Sequence, residues 1–160
     1  MTLTAPERAE PMTPLDGTRS TPAVRLCVVS LERTTRPGQA LSDTDRCRPQ
    51  QFRRLSCALL TSWDLLGHIE SVELLVTELL TNALQHGEGP EVDVMISADE
   101  DYIHVFVRDG SPRTPDPRLL DMESENGRGL HLVTVIADEV EVSEDGTTVH
   151  CALALQAGAA

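Results

Sequence analysis

The chain contains no lysine. All 13 of its basic residues are arginine, set against 26 acidic residues, so the formal net charge is −13. A surface this acidic repels phosphate backbones, and direct binding to DNA or RNA is therefore not expected. Without an ammonium group the chain can build neither a Walker-type phosphate loop nor a lysine-based kinase site. A bound nucleotide would have to be held by backbone amides, arginine and a metal ion.

Aromatic residues are nearly absent, at 2% of the chain. The core must therefore be aliphatic, and no set of aromatic side chains is available to stack a single-stranded nucleic acid. Long apolar runs are also lacking, and none approaches the ~20 residues that a membrane-spanning helix needs. The first residues are polar and rich in proline, so we expect neither a secretory leader nor a membrane anchor.

Cysteine is sparse, and its four positions show neither a CxxC pair nor the spacing of metal ligands: Cys27, Cys47, Cys57 and Cys151. We expect reduced thiols in a cytoplasmic protein. Because Cys27 and Cys151 stand in alternating apolar runs, both are predicted to pack as small hydrophobic residues in the core.

The length of 160 residues fits one domain with one core. Residues 1–20 have little apolar content and are predicted to form a disordered tail before a folded domain over residues 21–156. Apolar periodicity predicts strands over 24–31, 91–97, 102–109, 139–144 and 147–155, helices over about 50–66, 69–86 and 130–137, and a long loop over 111–127. The order β-α-α-β-β-α-β-β favours an α+β fold. We expect a two-layer sandwich whose mixed, mostly antiparallel sheet carries its helices on one face.

The helix predicted over 69–86 carries a polar row along the border of its apolar face. At about 100° per residue, Glu78, Asn82 and His86 fall on the flank of the buried arc and not opposite it. Burying an unpartnered amide costs roughly 1–3 kcal/mol, so something polar should lie against this edge. The row is either a boundary that faces solvent, with His86 placed to favour the helix dipole, or a ligand site. A carboxylate and an amide oxygen four residues apart can both face Mg²⁺ or its water shell.

Two turns carry further polar residues, and each has two interpretations. Asp109 ends an apolar strand, where it can bind an exocyclic amine in a cleft or simply form the Asp-Gly turn that leaves the strand. Thr147 and Thr148 follow the hairpin signal Asp145-Gly146. Their hydroxyls can reach a phosphate, or the two residues can merely begin a strand as β-branched side chains.

The segment Gly127-Arg128-Gly129-Leu130 opens the last predicted helix. Its two glycines let the backbone approach an anion closely, and a helix N-terminus presents N–H groups to phosphate. Arg128 can add a bidentate donor. Glycine is also common wherever a loop becomes a helix, so this segment alone does not separate a ligand site from a helix start.

Taken in order, four segments resemble the GHKL superfamily of ATPases, which contains gyrase, a heat-shock chaperone, sensor histidine kinases and a mismatch-repair protein. The segments read ELLVTELLTNALQHG, VFVRDGSP, NGRGLHLV and DEVEVSEDGTTVHCAL. The likeness is strongest to the small histidine-kinase-like ATPases of bacterial anti-sigma factors, which are Ser/Thr protein kinases, and it runs from about residue 24 to residue 155. It implies a Bergerat-type ATP-binding fold.

The resemblance also implies a role for each candidate residue. Glu78 matches the carboxylate that acts as general base, and Asn82 matches the asparagine that ligates Mg²⁺. His86 matches a polar position near the nucleotide at the end of the same helix. Asp109 matches the aspartate that bonds the adenine amino group. The remaining matches are the glycine-rich end of the phosphate lid and the Gly-Thr turn beside the nucleotide, namely Gly127, Arg128, Gly129, Leu130, Thr147 and Thr148.

One segment departs from the family pattern. Sensor kinases and the better-known anti-sigma kinases carry D-x-G-x-G at the adenine loop, whereas this chain has Asp109-Gly110-Ser111-Pro112-Arg113. That form resembles a large group of actinobacterial-type regulators that bind ATP. There is also no phospho-accepting histidine segment and no dimerising helical hairpin, so a sensor histidine kinase is not expected.

The resemblance therefore implies an ATP- and Mg²⁺-dependent regulator in the cytoplasm. It would be an anti-sigma factor with Ser/Thr protein kinase activity toward an anti-anti-sigma antagonist, and its partners would be a sigma factor and that antagonist. A homodimer is left open. Two alternatives remain: an interaction module that holds ATP without phosphoryl transfer, and a plain ATP hydrolase in which water replaces the serine.

Overall fold

The computed structural model describes residues 25–110 and 127–155, with only the backbone described for residues 127–130. The predicted tail and most of the loop predicted over 111–127 lie outside the described residues. In chain order the elements are β1 (Arg25–Glu32), α1 (Asp43–Ser62), a 3-10 turn (Leu66–His68), α2 (Ile69–His86), β2 (Glu91–Ala98), β3 (Tyr102–Arg108), α3 (Gly127–Ile136), β4 (Glu139–Val142) and β5 (Thr148–Ala154). None of the described helices combines the length and apolar character that a membrane crossing requires.

The five strands form one open sheet in the order β1-β2-β3-β5-β4. This confirms the predicted α+β class. Every pairing between the described strands is antiparallel, so the parallel pair that a mixed sheet would contain is not found among them. Because β5 lies beside β3, the end of β3 at Arg108 pairs with the start of β5 at Thr148.

The core lies between the helices and one face of the sheet. Alternate residues of β2 and β3 are buried, as are seven side chains of α2: Val92, Val94, Ile96, Ile103, Val105, Val107, Val72, Leu75, Val76, Leu79, Leu80, Ala83 and Leu84. Among the described residues Phe52 is the sole aromatic member of this buried core, so the expected aliphatic core is confirmed. Each valine, leucine or isoleucine side chain in this core contributes about 1.5–3 kcal/mol when it is fully buried.

Helix α1 differs from its prediction at both ends. It begins at Asp43, and not near residue 50, because Ser42 caps it by accepting a hydrogen bond from the Asp45 N–H at 3.1 Å. Most side chains in its first two turns are exposed, so no apolar period marks them. The helix ends at Ser62, before the predicted residue 66, and Asp64 follows with a positive φ of 60°.

The second half of the chain departs from prediction at two boundaries. Helix α3 begins at Gly127, three residues before the predicted start, so its glycines form the first helical turn. Between β4 and β5 the predicted two-residue hairpin is a longer loop, held by a hydrogen bond of 2.9 Å from the Ser143 N–H to the Thr148 carbonyl. Gly146 enters the left-handed region in this loop, with φ at 70°.

Candidate functional site

Helix α2 carries the predicted polar row at the edge of its buried face. Glu78, Asn82 and His86 are all half-buried, and the leucines between them pack into the core. Nδ2 of Asn82 and Nε2 of His86 are shielded from solvent and have no hydrogen-bond partner among the described residues. An unsatisfied buried polar group costs about 1–3 kcal/mol, so this edge fits a polar ligand that would complete these bonds.

The row is elongated. Glu78 and His86 are separated by about 12 Å along the axis, at the usual helical rise of about 1.5 Å per residue. Asn82 lies midway between them. An extended ligand with polar groups along its length would match this spacing better than a compact one.

The His86 end of the row lies beside the Asp109 turn. A Cβ added at Gly89 would lie 2.5 Å from the carbonyl oxygen of Asp109 and 3.1 Å from Cα of Gly110. Only glycine at position 89 permits so close an approach of two backbones. Gly110 adopts a left-handed φ of 69°, which turns the chain away after β3. Asp109 is half-buried at this junction of α2 and the sheet.

The Thr147-Thr148 turn is brought to the same place by the sheet order. The Asp109 N–H donates to the carbonyl oxygen of Thr147 at 3.0 Å. The Thr147 hydroxyl donates to Oδ1 of Asp145 at 2.8 Å. The oxygen of the Thr148 hydroxyl lies 3.5 Å from that of the Thr147 hydroxyl. In the structure the Thr147 hydroxyl holds the turn and Thr148 begins β5, while a phosphate-binding role for either hydroxyl stays a prediction.

The same turn lowers the pKa of its aspartate, Asp145. Hydrogen bonds from the Ser143 hydroxyl, then from the backbone and hydroxyl of Thr147, lower the pKa of Asp145 to about 2. Arg108 adds a smaller electrostatic contribution. Asp145 therefore stays ionised through the physiological range, and the turn beside Asp109 keeps its hydrogen bonds.

Helix α3 supplies the fourth candidate segment. It packs against α2 and against β4, with Val133 fully buried. The first four residues of a helix have N–H groups that no carbonyl of the same helix accepts. In α3 these are Gly127, Arg128, Gly129 and Leu130, so the predicted phosphate-facing segment is a helix N-terminus. No described contact joins these four residues to Glu78 or Asp109.

Arg33, just after β1, is a residue of this region that sequence reasoning missed. Its guanidinium reaches the carboxyl end of α2 and the loop before β2. Nothing in the local sequence distinguishes it from the exposed arginines around it. The sequence does show that the chain has no lysine, so a contact of this kind by a long cationic side chain must be made by one of its arginines.

A magnesium site made by protein groups alone is not found in the described part of the chain. Residues 25–110 and 127–155 contain no group of three or more His, Cys, Asp or Glu side chains suited to holding a metal ion. Mg²⁺ commonly binds through one or two protein groups, with water and phosphate oxygens completing its shell. Asn82 offers one such group, its amide oxygen, and its role as a ligand for a magnesium ion that arrives with a nucleotide stays a prediction.

Comparison with known proteins places this geometry in a family. Residues 50–152 match the histidine kinase-like ATPase domain, and the chain belongs to that family. It is 35% identical over 99 residues to the serine-protein kinase RsbW of Bacillus velezensis. This match covers 51% of this chain and 61% of that protein. RsbW of Bacillus subtilis is 33% identical over 99 residues with the same shares, and RsbW of Bacillus pumilus is 36% identical over 101 residues, covering 51% and 62%. The chain thus spans about three-fifths of the length of these curated relatives.

Family membership confirms the predicted resemblance and implies that the domain binds ATP. Every candidate site residue, from Glu78 to Thr148, falls inside the matched range. Arg33 falls outside it.

Proposed function

We propose that this chain is an ATP-binding anti-sigma factor with Ser/Thr protein kinase activity toward an anti-anti-sigma antagonist. The support is the family match together with similarity to proteins named serine-protein kinase. The proposal includes a sigma factor and the antagonist as partners, ATP and Mg²⁺ as cofactors, and a cytoplasmic location.

The observation that carries the proposal is the pair of buried, unsatisfied side-chain atoms on α2. Asn82 Nδ2 and His86 Nε2 lie one helical turn apart and lack partners among the described residues. A nucleotide that extends along α2 from the Asp109 turn would supply polar groups to both. A core boundary with no ligand would leave both groups as an uncompensated cost.

Each residue then has a distinct role. Asp109 accepts a hydrogen bond from the adenine amino group, and His86 lies near the nucleotide. Asn82 helps hold Mg²⁺, and the bound Mg-ATP supplies the phosphoryl group. Glu78 accepts the proton of the serine hydroxyl of the partner protein, which is the work of a general base. The N–H groups at the start of α3 and the charge of Arg128 bind the phosphates, since a helix N-terminus favours negative charge.

The rival proposal is a regulator that binds ATP without transferring a phosphoryl group. It is favoured by the segment Asp109-Gly110-Ser111-Pro112-Arg113, which has serine and arginine where the D-x-G-x-G pattern has its two glycines. Hydrolysis with water in place of serine is a weaker third possibility. All three share the same nucleotide site and differ in the fate of the γ-phosphate.

The test begins by capturing partners from the native cytosol on the immobilised chain, with and without Mg-ATP. Transfer of labelled phosphate from ATP to captured protein is then measured for the native chain and Glu78→Gln. We expect the substitution to lower transfer about 10²–10⁴-fold, because a general base contributes that much. Nucleotide affinity should stay within a few-fold, since the amide keeps the shape of the carboxylate.

The matched control is Glu70→Gln, which removes the same charge from an exposed position in the first turn of α2. It should leave transfer unchanged. Equal transfer rates for native chain and Glu78→Gln would remove Glu78 from the chemistry. ATP binding with no labelled partner and no released phosphate would favour the non-catalytic regulator.

A further inference from the structure

The guanidinium of Arg33 makes hydrogen bonds to two parts of the proposed nucleotide site, the end of α2 and the loop before β2. Its Nη1 donates to the carbonyl oxygen of Leu84 at 2.8 Å, inside the last turn of α2. Its Nε donates to the carbonyl oxygen of Gly89 at 2.7 Å, in the loop that follows. The backbone N–H of Arg33 also donates to the Pro90 carbonyl at 2.7 Å.

We propose that Arg33 is a positioning residue that sets the distance between the polar row of α2 and the Asp109 turn, and so tunes nucleotide affinity. This inference rests on the proposed function of the site. Arg33 does not touch the nucleotide in this account. It acts through the backbone of Leu84 and Gly89.

The surrounding glycines fit this role. A Cβ added at Gly87 would overlap Nη2 of Arg33 and the carbonyl oxygen of Ala83. The φ of Gly87 is −67°, which any residue can adopt, so glycine is required there by the space that the Ala83 carbonyl and the Arg33 guanidinium occupy. Gly89, whose carbonyl Arg33 binds, is the residue whose backbone touches Asp109 and Gly110. A continuous line of contacts therefore runs from Arg33 through Gly89 to Asp109.

The contacts also explain why arginine is needed. A guanidinium presents several N–H groups in a rigid fork, and here two of them bind two carbonyls on different segments. A lysine ammonium on a flexible chain can bind one carbonyl well, but it does not hold two segments at a fixed separation. Arg33 lies in the connection between β1 and α1, before residues 50–152 that match the family.

A purely structural role for Arg33 makes a different prediction. A cation at a helix C-terminus stabilises the helix through its dipole and through capping of its carbonyls. In that case its removal would lower the thermal midpoint of unfolding. The Kd of the molecules that remain folded would not change.

The experiment measures Mg-ATP binding by calorimetry at a temperature where each variant is folded, together with the thermal midpoint. The variants are Arg33→Gln, Arg33→Lys and the control Arg36→Gln, which removes the same charge from an exposed arginine nearby. We expect Arg33→Gln to weaken Mg-ATP binding at least about tenfold relative to the control, a common size for coupling between linked sites. Arg33→Lys, which keeps the charge and loses the fork, should fall between them. If Arg33→Gln does not fold, the affinity of Arg33→Lys tests the proposal in its place.

Equal affinities for Arg33→Lys and Arg36→Gln, with native-like binding in both, would overturn the positioning role and leave the nucleotide site standing. A lower thermal midpoint with an unchanged Kd would do the same and assign Arg33 to helix capping. If the folded native chain binds no nucleotide, both this inference and the proposed function fail. The inference would be supported by a loss of affinity in both Arg33 variants together with a change at Asn82 seen by NMR. The side-chain amide resonance of Asn82 should shift in the two Arg33 variants and stay in place in Arg36→Gln.

Discussion

Asp45 is a fully buried carboxylate at the start of α1. Its Oδ2 accepts backbone N–H groups of Thr35 at 2.7 Å and Thr34 at 3.1 Å. Nε of Arg48 lies 3.1 Å from its Oδ1, in an ion pair whose angle does not make a directed hydrogen bond. Burial alone would raise the pKa of Asp45, but the hydrogen bonds from Thr35 and Thr34 outweigh it and lower the pKa below 3.8.

A pH-dependent contribution to stability follows from Asp45. Because its pKa is lower in the folded chain than in the unfolded one, its stabilisation is complete well above 3.8 and is lost as the pH falls through the folded value. Asp45→Asn should cost about 1–3 kcal/mol at neutral pH, since hydrogen bonds to an ionised group are replaced by weaker ones. Urea unfolding measured from pH 7 down to pH 3 should show this difference narrowing. The control is Asp43→Asn, an exposed carboxylate in the same turn, and a difference that does not vary with pH would contradict the account.

The cysteines differ in their exposure to solvent. The prediction that Cys151 packs in the core is confirmed, and the same prediction for Cys27 is wrong. All four are free thiols, and Cys151 is fully buried as expected, whereas Cys27 is only half-buried. Burial raises the pKa of Cys151 to about 12, so almost no thiolate is present at pH 8. Iodoacetamide at that pH should modify the exposed Cys47 first and leave Cys151 unmodified until urea unfolds the chain. Mass spectrometry of digested samples checks this, and early labelling of Cys151 in the native protein would contradict the packing of β5.

The candidate residues on α2 could be found from sequence because a helical period fixes which side chains share a face. Asn82 and His86 were expected at the edge of the core, and they lie there half-buried. Arg33 could not be found in this way. Its partners at Leu84 and Gly89 lie 51 and 56 residues away along the chain, and only the folded backbone brings them together.

The first and last residues of an element were predicted most accurately where apolar side chains recur regularly along it. Helix α2 spans Ile69–His86, as expected, because its buried residues recur at every turn and Gly87 ends it. Helix α1 was predicted too late, since its first turns are polar and are held by the Ser42 cap and by buried Asp45. The Ser42 cap and the Asp45–Arg48 ion pair are local features that apolar periodicity does not report, and the contacts of Asp45 with Thr34 and Thr35 form only in the folded chain.

The end of α1 contains a residue in an unfavourable backbone region. Asp64 has φ at 60°, and the Leu65 N–H donates to the Leu60 carbonyl at 2.8 Å, the wide hydrogen bond that closes a helix. A left-handed conformation disfavours a side chain and suits glycine. Asp64→Gly should therefore stabilise the fold by about 0.5–1 kcal/mol. Urea unfolding tests this, with Asp64→Ala as the control that should give no gain, and a loss of stability in the glycine variant would contradict the assigned turn.

The whole molecule assembles its candidate site through sheet order. The end of α2, the turn after β3 and the turn before β5 are far apart in sequence, and they meet because β5 inserts beside β3. Element order alone left the arrangement of strands open, so this meeting could be expected only from the family resemblance. The net charge of −13 repels a phosphate backbone, so we expect protein partners in place of nucleic acid.

The most direct test of the central claim is calorimetric titration of the folded native chain with ATP and Mg²⁺, beside Asn82→Ala. We expect a micromolar Kd for the native chain, equivalent to about 7–8 kcal/mol. Asn82→Ala should bind Mg-ATP more weakly, because it removes the side chain that we propose to help hold the ion and whose Nδ2 has no partner among the described residues. Folded native chain that gives no heat with either ATP or ADP would contradict the account and reduce the polar row of α2 to a boundary of the core.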